Sequence, residues 1–175
     1  MTHPHSRSEL DPIEEAIRQW KKHGWSNSAE GMAAITSLMR AQQIAIARVE
    51  TILKKFGITF SRYELLMLLQ FSSRGSLPMS VITSRLQVHA TSVTNTVDRL
   101  EKALLVARLP HPSDRRATLV EITDTGRALA DSATQELNEY VFSKPGLSPQ
   151  DMSNLIRILT AYREAAGDFS HESNR

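Results

Sequence analysis

The chain has no cysteine among its 175 residues. It therefore holds no disulfide framework, no thiolate nucleophile and no cysteine-based zinc site. Its six histidines, His3, His5, His23, His89, His111 and His171, show no helical or H-x-x-x-H spacing, so no metal site is expected. The longest apolar run, Leu65 to Phe71, is far too short to span a bilayer. The N-terminal stretch is polar and carries no apolar targeting segment, so no membrane partner and a cytoplasmic location are expected. A strong excess of one charge is also missing: 21 Lys and Arg face 19 Asp and Glu, for a formal +2. A nucleic-acid partner would have to meet a local basic patch. Internal repeats and low-complexity segments are absent too.

What is present is a globular composition, 41% hydrophobic and 23% charged. Asp11, Pro12, Glu14 and Glu15 form a helix start, with Gly24 as its stop. Asn27 and Glu30 have capping-box spacing and predict a second helix that runs about 30 residues to Phe56 and Gly57. Its positions Met32, Ile35, Met39, Gln42, Ile46, Val49, Leu53 and Phe56 recur at alternating steps of three and four, a heptad-type seam that favours a partner subunit. Ser61 and Glu64 predict another capped start, for a helix apolar nearly all round. Residues 74–78 read as a break, with Pro78 opening a further helix and Thr91 the next. Two strand-like runs, 104–109 and 117–123, flank a loop with Pro110, Pro112, Asp114, Arg115 and Arg116. A long helix from Asp124 to Phe142 and a last one capped near Ser148 complete the pattern. The last helix carries Met152, Leu155, Ile156, Leu159 and Tyr162 on one face.

Two short helices joined by a tight turn and followed by a hairpin are the pattern of a winged helix-turn-helix. In the helix from Thr91, Val93, Val97, Leu100 and Leu104 are expected to form one buried face. Thr91, Ser92, Asn95, Thr96 and Arg99 occupy others, as short hydrogen-bonding groups plus a long cation suited to a major groove. Between Arg85 and Arg116, six cations face three anions, a local +3 that exceeds the charge of the whole chain. Arg115 and Arg116 at a wing tip suit a narrow minor groove, and Asp114 is placed to orient a guanidinium. His89 and Ser92 could suggest a catalytic dyad. With no acidic orienter, capping and phosphate contact fit them better, so neither an enzyme nor a cofactor is expected.

The stretches 56–69 and 88–126, with their flanking helices, resemble the MarR (multiple-antibiotic-resistance regulator) family of bacterial winged helix-turn-helix transcription factors, over about residues 30–165. The resemblance rests on Asp114-x-Arg116, the apolar strand after it, and Asp124–Thr125–Gly126. It implies that Arg116 enters the minor groove with Asp114 as its partner, and that Ser92 and Asn95 contact DNA. It further implies a homodimer built from the first and last helices, on a pseudo-palindromic operator of double-stranded DNA. Many members have Asp where His111 stands, and Gly where Ala103 stands, so Ala103 needs right-handed backbone or tolerates strain. Members usually bind small aromatic or anionic molecules in a crease between the dimer helices and the winged domain. By position, its lining here would include Trp20, Met39, Arg40, Tyr63, Met67 and Phe71, with Arg40 able to meet a carboxylate.

The expected fold is mainly α, α+β: a winged helix-turn-helix with long terminal dimerisation helices and a two-stranded β-hairpin wing. Residues 1–26 form an N-terminal extension with an extra short helix. Residues 27–57 and 124–167 dimerise, 58–123 bind DNA, and 168–175 are a mobile tail. The expected function is a ligand-released repressor. The alternative is a winged-helix module that acts constitutively in DNA architecture or protein contact.

Overall fold

The computed structural model describes residues 10–86, 90–112, 114 and 117–169. Helix α1 spans Pro12–Lys22 and starts as its sequence demands: the Asp11 carboxylate accepts the Ile13 N–H at 2.9 Å, and proline occupies the first turn. The chain leaves this helix through Gly24 at φ +84°. Helix α2, Ala29–Leu53, begins one residue later than the spacing of Asn27 and Glu30 suggests, with Ser28 at its N-cap position. Asn27 lies instead in a single 3-10 turn, Ser26–Ser28, and the Ser28 hydroxyl donates to the Trp25 carbonyl. A second 3-10 turn, Lys54–Phe56, tightens the end before Gly57 at φ +69°.

Helix α3, Phe60–Gln70, starts after Thr59, which occupies the N-cap position without a side-chain capping bond, and so not from a Ser61–Glu64 box. Its first N–H, on Phe60, goes to Glu50 of α2 at 2.8 Å, so a long-range carboxylate does the work expected of a local one. Tyr63, Leu65, Leu66 and Leu69 of α3 are buried. The break expected at 74–78 contains a strand, β1, Ser76–Pro78. Helices α4 (Met79–Leu86) and α5 (Ala90–Lys102) follow, then strands β2 (Val106–Pro110) and β3 (Thr118–Ile122). The sheet order is β1-β3-β2, antiparallel throughout, so the hairpin carries a third strand on its inner side. Ile82, Val93, Val97, Leu100 and Val120 are fully buried and join the α3 leucines in one core. Each such side chain contributes about 1.5–3 kcal/mol.

Helix α6, Asp124–Leu137, starts at a crowded junction. The Thr123 hydroxyl accepts the Gly126 N–H at 3.0 Å and donates to the Leu104 carbonyl at 2.8 Å. The Thr123 N–H donates to the Leu105 carbonyl at 3.1 Å. A Cβ on Gly126 would lie 2.1 Å from that same Leu105 oxygen, so no side chain fits. The turn between α5 and β2 is left-handed at Leu104, φ +60°, and not at Ala103. The Leu104 side chain is 75% exposed, contrary to its expected place on the buried face of the helix, because α5 ends at Lys102 and the left-handed turn carries Leu104 off that face.

The seam of α2 divides into two regimes. Val49 and Leu53 are buried within the chain, whereas Ile35 and Met39 are exposed. The first two therefore belong to the intrachain core, and only the middle of the seam is free for a partner.

The chain divides into two compact units after Ala133. In the second, the last turn of the long helix widens to a π-helix at Asn138–Phe142. Helix α7, Pro149–Ala165, is capped by Ser148, whose hydroxyl accepts the Asp151 N–H at 3.1 Å. No residue of α7 is buried, and Leu155, Ile156, Ile158 and Tyr162 are all exposed.

Gly126→Ala is expected to lower the free energy of unfolding by about 2–3 kcal/mol, because its methyl group meets a backbone carbonyl that cannot swing aside. Leu104→Gly is expected to raise it by about 1 kcal/mol through relief of left-handed strain. Chemical denaturation at one fixed protein concentration checks both signs.

Candidate nucleic-acid interface

Successive residues of an α-helix turn by about 100°, so the buried Val93, Val97 and Leu100 fix which way α5 faces. The opposite stripe runs through Thr91, Asn95 and Lys102, with Ser92 and Arg99 beside it. All five are exposed. The expected contact residues Thr91, Ser92, Asn95 and Arg99 thus share one open surface. Two other hydroxyls of the helix are engaged internally: Thr94 donates to the Ala90 carbonyl at 3.0 Å, and Thr96 to that of Ser92 at 2.9 Å. Thr96 is half-buried and stands at the margin of the stripe.

The two flanks of the stripe differ. On the side of β2, Asp98 and Glu101 converge on Arg108. The guanidinium donates to both carboxylates, and the Arg108 backbone N–H donates to Glu101 at 3.1 Å. Burial opposes the charge on Arg108. The hydrogen bonds and charges of Asp98 and Glu101 outweigh it, and the guanidinium is held above its ordinary pKa. One of the six cations counted in the local patch is therefore spent inside the protein. On the other flank, Ser92 and Thr96 meet Ser61 and Glu64 of α3 around a cavity of about 130 Å³ floored by Leu86 and Val93. Burial pushes the Glu64 carboxyl above its usual range.

The wing is the β2–β3 hairpin, paired from Val106↔Ile122 to Pro110↔Thr118. Its tip is organised by backbone bonds: His111 N–H to the Ala117 carbonyl at 3.3 Å and Ala117 N–H to the Asp114 carbonyl at 3.0 Å. The Asp114 N–H donates to Nδ1 of His111 at 3.2 Å. Histidine here supplies a side-chain acceptor to the loop, as an aspartate could. Asp114 is exposed, while Arg115 and Arg116 lie outside the described residues. Between the wing and the start of α4 lies a cleft of about 330 Å³ lined by Pro78, Met79, Ser80, Asp114, Ala117 and Thr118.

The residues expected to line an effector crease are spread over different environments. Trp20 is half-buried and packs edge-on against Trp25, with ring centroids 5.4 Å apart. Met39 is exposed, and Arg40 donates to Gln43 at 3.3 Å. Tyr63 is a core residue stacked on Phe60, Met67 is half-buried, and Phe71 is 79% exposed. None of these six lines the cleft of about 450 Å³ between the end of α2 and the loop to α3. No group of three or more metal-ligating side chains occurs among the described residues. None of the described helices is long and apolar enough to cross a membrane.

Sequence reasoning missed Arg108, Asp98 and Glu101 as a unit, and it assigned Glu64 only to a cap. The available signal was the pairing of β2 with the preceding helix: a strand cation ten residues after one acid and seven after another.

The MarR family model matches residues 58–118, from the loop before α3 to the first residue of β3. PecS of Dickeya dadantii, an HTH-type transcriptional regulator, is 25% identical over 127 residues, which cover 71% of this chain and 75% of PecS. The crystal structure of Sco3205 from Streptomyces coelicolor, a MarR family regulator in complex with DNA, has the same fold. Its TM-score is 0.70 at 24% identity, covering 83% of this chain and 92% of that one. Sco5413, a MarR family transcriptional regulator from Streptomyces coelicolor, is 48% identical with a TM-score of 0.74, over 81% of this chain and 99% of its own. With that identity sustained along nearly all of a solved regulator, the chain belongs to the MarR family of DNA-binding transcriptional regulators.

Proposed function

We propose that the protein is a homodimeric, sequence-specific repressor that reads a pseudo-palindromic operator and is released by a small aromatic or anionic effector. The observation that carries the DNA-reading part is the open stripe of Thr91, Ser92, Asn95, Arg99 and Lys102 on α5, which bears only polar and cationic groups. Asn95 suits an adenine edge in the major groove, Arg99 a guanine or a phosphate, and the hydroxyls suit phosphates. Arg116 enters the neighbouring minor groove with Asp114 beside it, and Arg115 meets phosphate. The DNA held by Sco3205 is consistent with this use of the fold.

The dimer reading rests on apolar side chains that the chain leaves uncovered. They are Ile35, Met39 and Ile44 in the middle of α2, and Leu155, Ile156 and Tyr162 on α7. Residues 27–57 and 124–167 form the dimerisation region in this reading, and 58–123 the DNA-binding region, preceded by the 1–26 extension. Two-fold symmetry then places half-site centres about one helical turn, roughly 10 base pairs, apart. Release requires an effector that binds the DNA-free arrangement better than the DNA-bound one. The expected Trp20 and Arg40 stand on α1 and α2, where an aromatic acid would find a ring and a cation.

Met39→Asp combined with Ile156→Asp touches only exposed positions. It is expected to reduce the native mass from twice that of the chain to once, with helical circular dichroism retained. Size-exclusion chromatography with light scattering reads the result, and an unchanged doubled mass would place the interface elsewhere.

Arg116→Ala is expected to weaken operator binding by about 1–3 kcal/mol per subunit, and Asn95→Ala to relax preference at one base position in each half-site. Fluorescence anisotropy on operator and random DNA at several salt concentrations measures both. Equal affinity of the wild-type protein for the two DNAs would refute sequence-specific reading.

A further inference from the structure

We propose that Arg108 is a positioning residue for operator readout: it fastens the wing to the recognition helix so that both meet DNA as one rigid body. The inference rests on the DNA-reading assignment above. It begins from the sheet order, which leaves β2 with β3 on one side only. At Arg108 the strand turns a backbone N–H away from β3, and Glu101 of α5 receives it at 3.1 Å. The same carboxylate receives one arm of the Arg108 guanidinium, and Asp98 receives the other. Both charged arms point at α5, so this side chain serves a junction and not a phosphate.

The chemistry of the junction calls for arginine. Asp98 and Glu101 lie nearly one turn apart on α5, and a planar fork reaches both at fixed geometry. A lysine ammonium supplies the charge but offers only one point of attachment. Position matters as well. Arg108 stands two residues before Pro110, where the strand gives way to the tip loop. Each further residue of extended chain carries the tip about 3.3 Å outward, so a small rotation at Arg108 becomes a large displacement at Asp114 and beyond. Contacts made by the tip are the ones that a loosened junction loses. Contacts made by Asn95, on the rigid helix itself, survive.

The test uses the full-length protein and two readouts, selection from a randomised operator library and anisotropy on the selected site. Arg108→Gln is expected to reduce base preference about tenfold at the positions read by the wing, and to keep it within about twofold at those read by α5. Arg108→Lys should fall short of wild type at the same wing positions. Asp98→Asn combined with Glu101→Gln, which leaves the arginine in place, should reproduce the Arg108→Gln profile. Tighter binding by that double variant would show that Arg108 touches DNA once freed from its acids, and would overturn the proposal. A uniform loss at all positions, matched by loss of folded protein in circular dichroism, would reduce the junction to ordinary stability and also overturn it. Wild-type preference with an unchanged Arg108→Gln profile overturns this proposal alone. A wild-type protein with no preference anywhere overturns it together with the DNA-reading assignment.

Discussion

The approach of Gly126 to the Leu105 carbonyl is the constraint around which the winged helix is assembled. At this point the end of α5, the start of β2, the end of β3 and the first turn of α6 share one small volume. Thr123 binds three of these pieces with one hydroxyl and one N–H. A side chain at 126 would force α6 off the turn, and the hairpin would lose the stop that sets its length. Close packing makes such a junction bistable at best, never gradually deformable. The start of α6 is therefore set within a few residues of the end of α5.

The sequence and the structure agree where a signal repeats over many residues. The helix periods of α2, α3 and α5 and the alternating strands are of this kind. The Asp11–Pro12 and Ser148 starts agree as well, although they are local signals, because a proline in the first turn leaves little other choice. Agreement fails where one distant partner outcompetes a local one. Thr59 is followed by a Phe60 N–H that finds Glu50, so the Ser61–Glu64 box never forms. β1 is three residues long and exists only because β3 offers a free side. No period can announce a strand so short. The left-handed residue sits one position beyond Ala103, since α5 keeps its own geometry through the end of its last turn.

The seam of α2 shows the same limit in another form. Its spacing is uniform, yet Val49 and Leu53 face the chain's own core while Ile35 and Met39 face outward. A heptad pattern says that one side of a helix is apolar. It does not say whether one neighbour or two will cover that side. The open face of α5 is easier to read, because buried valines at fixed angles identify the opposite face without any knowledge of what lies there. The charge balance of the patch was harder, since formal counting treats Arg108 as available when two acids already hold it.

The small sheet has two open sides, and each is closed to further strands by different chemistry. β1 ends in Pro78, which has no N–H to offer a newcomer. β2 ends in Pro110, and its outward N–H at Arg108 is already taken by Glu101. An unprotected sheet edge is a template for pairing with another chain. With both edges blocked, two copies of the chain cannot join their sheets edge to edge into a growing ribbon.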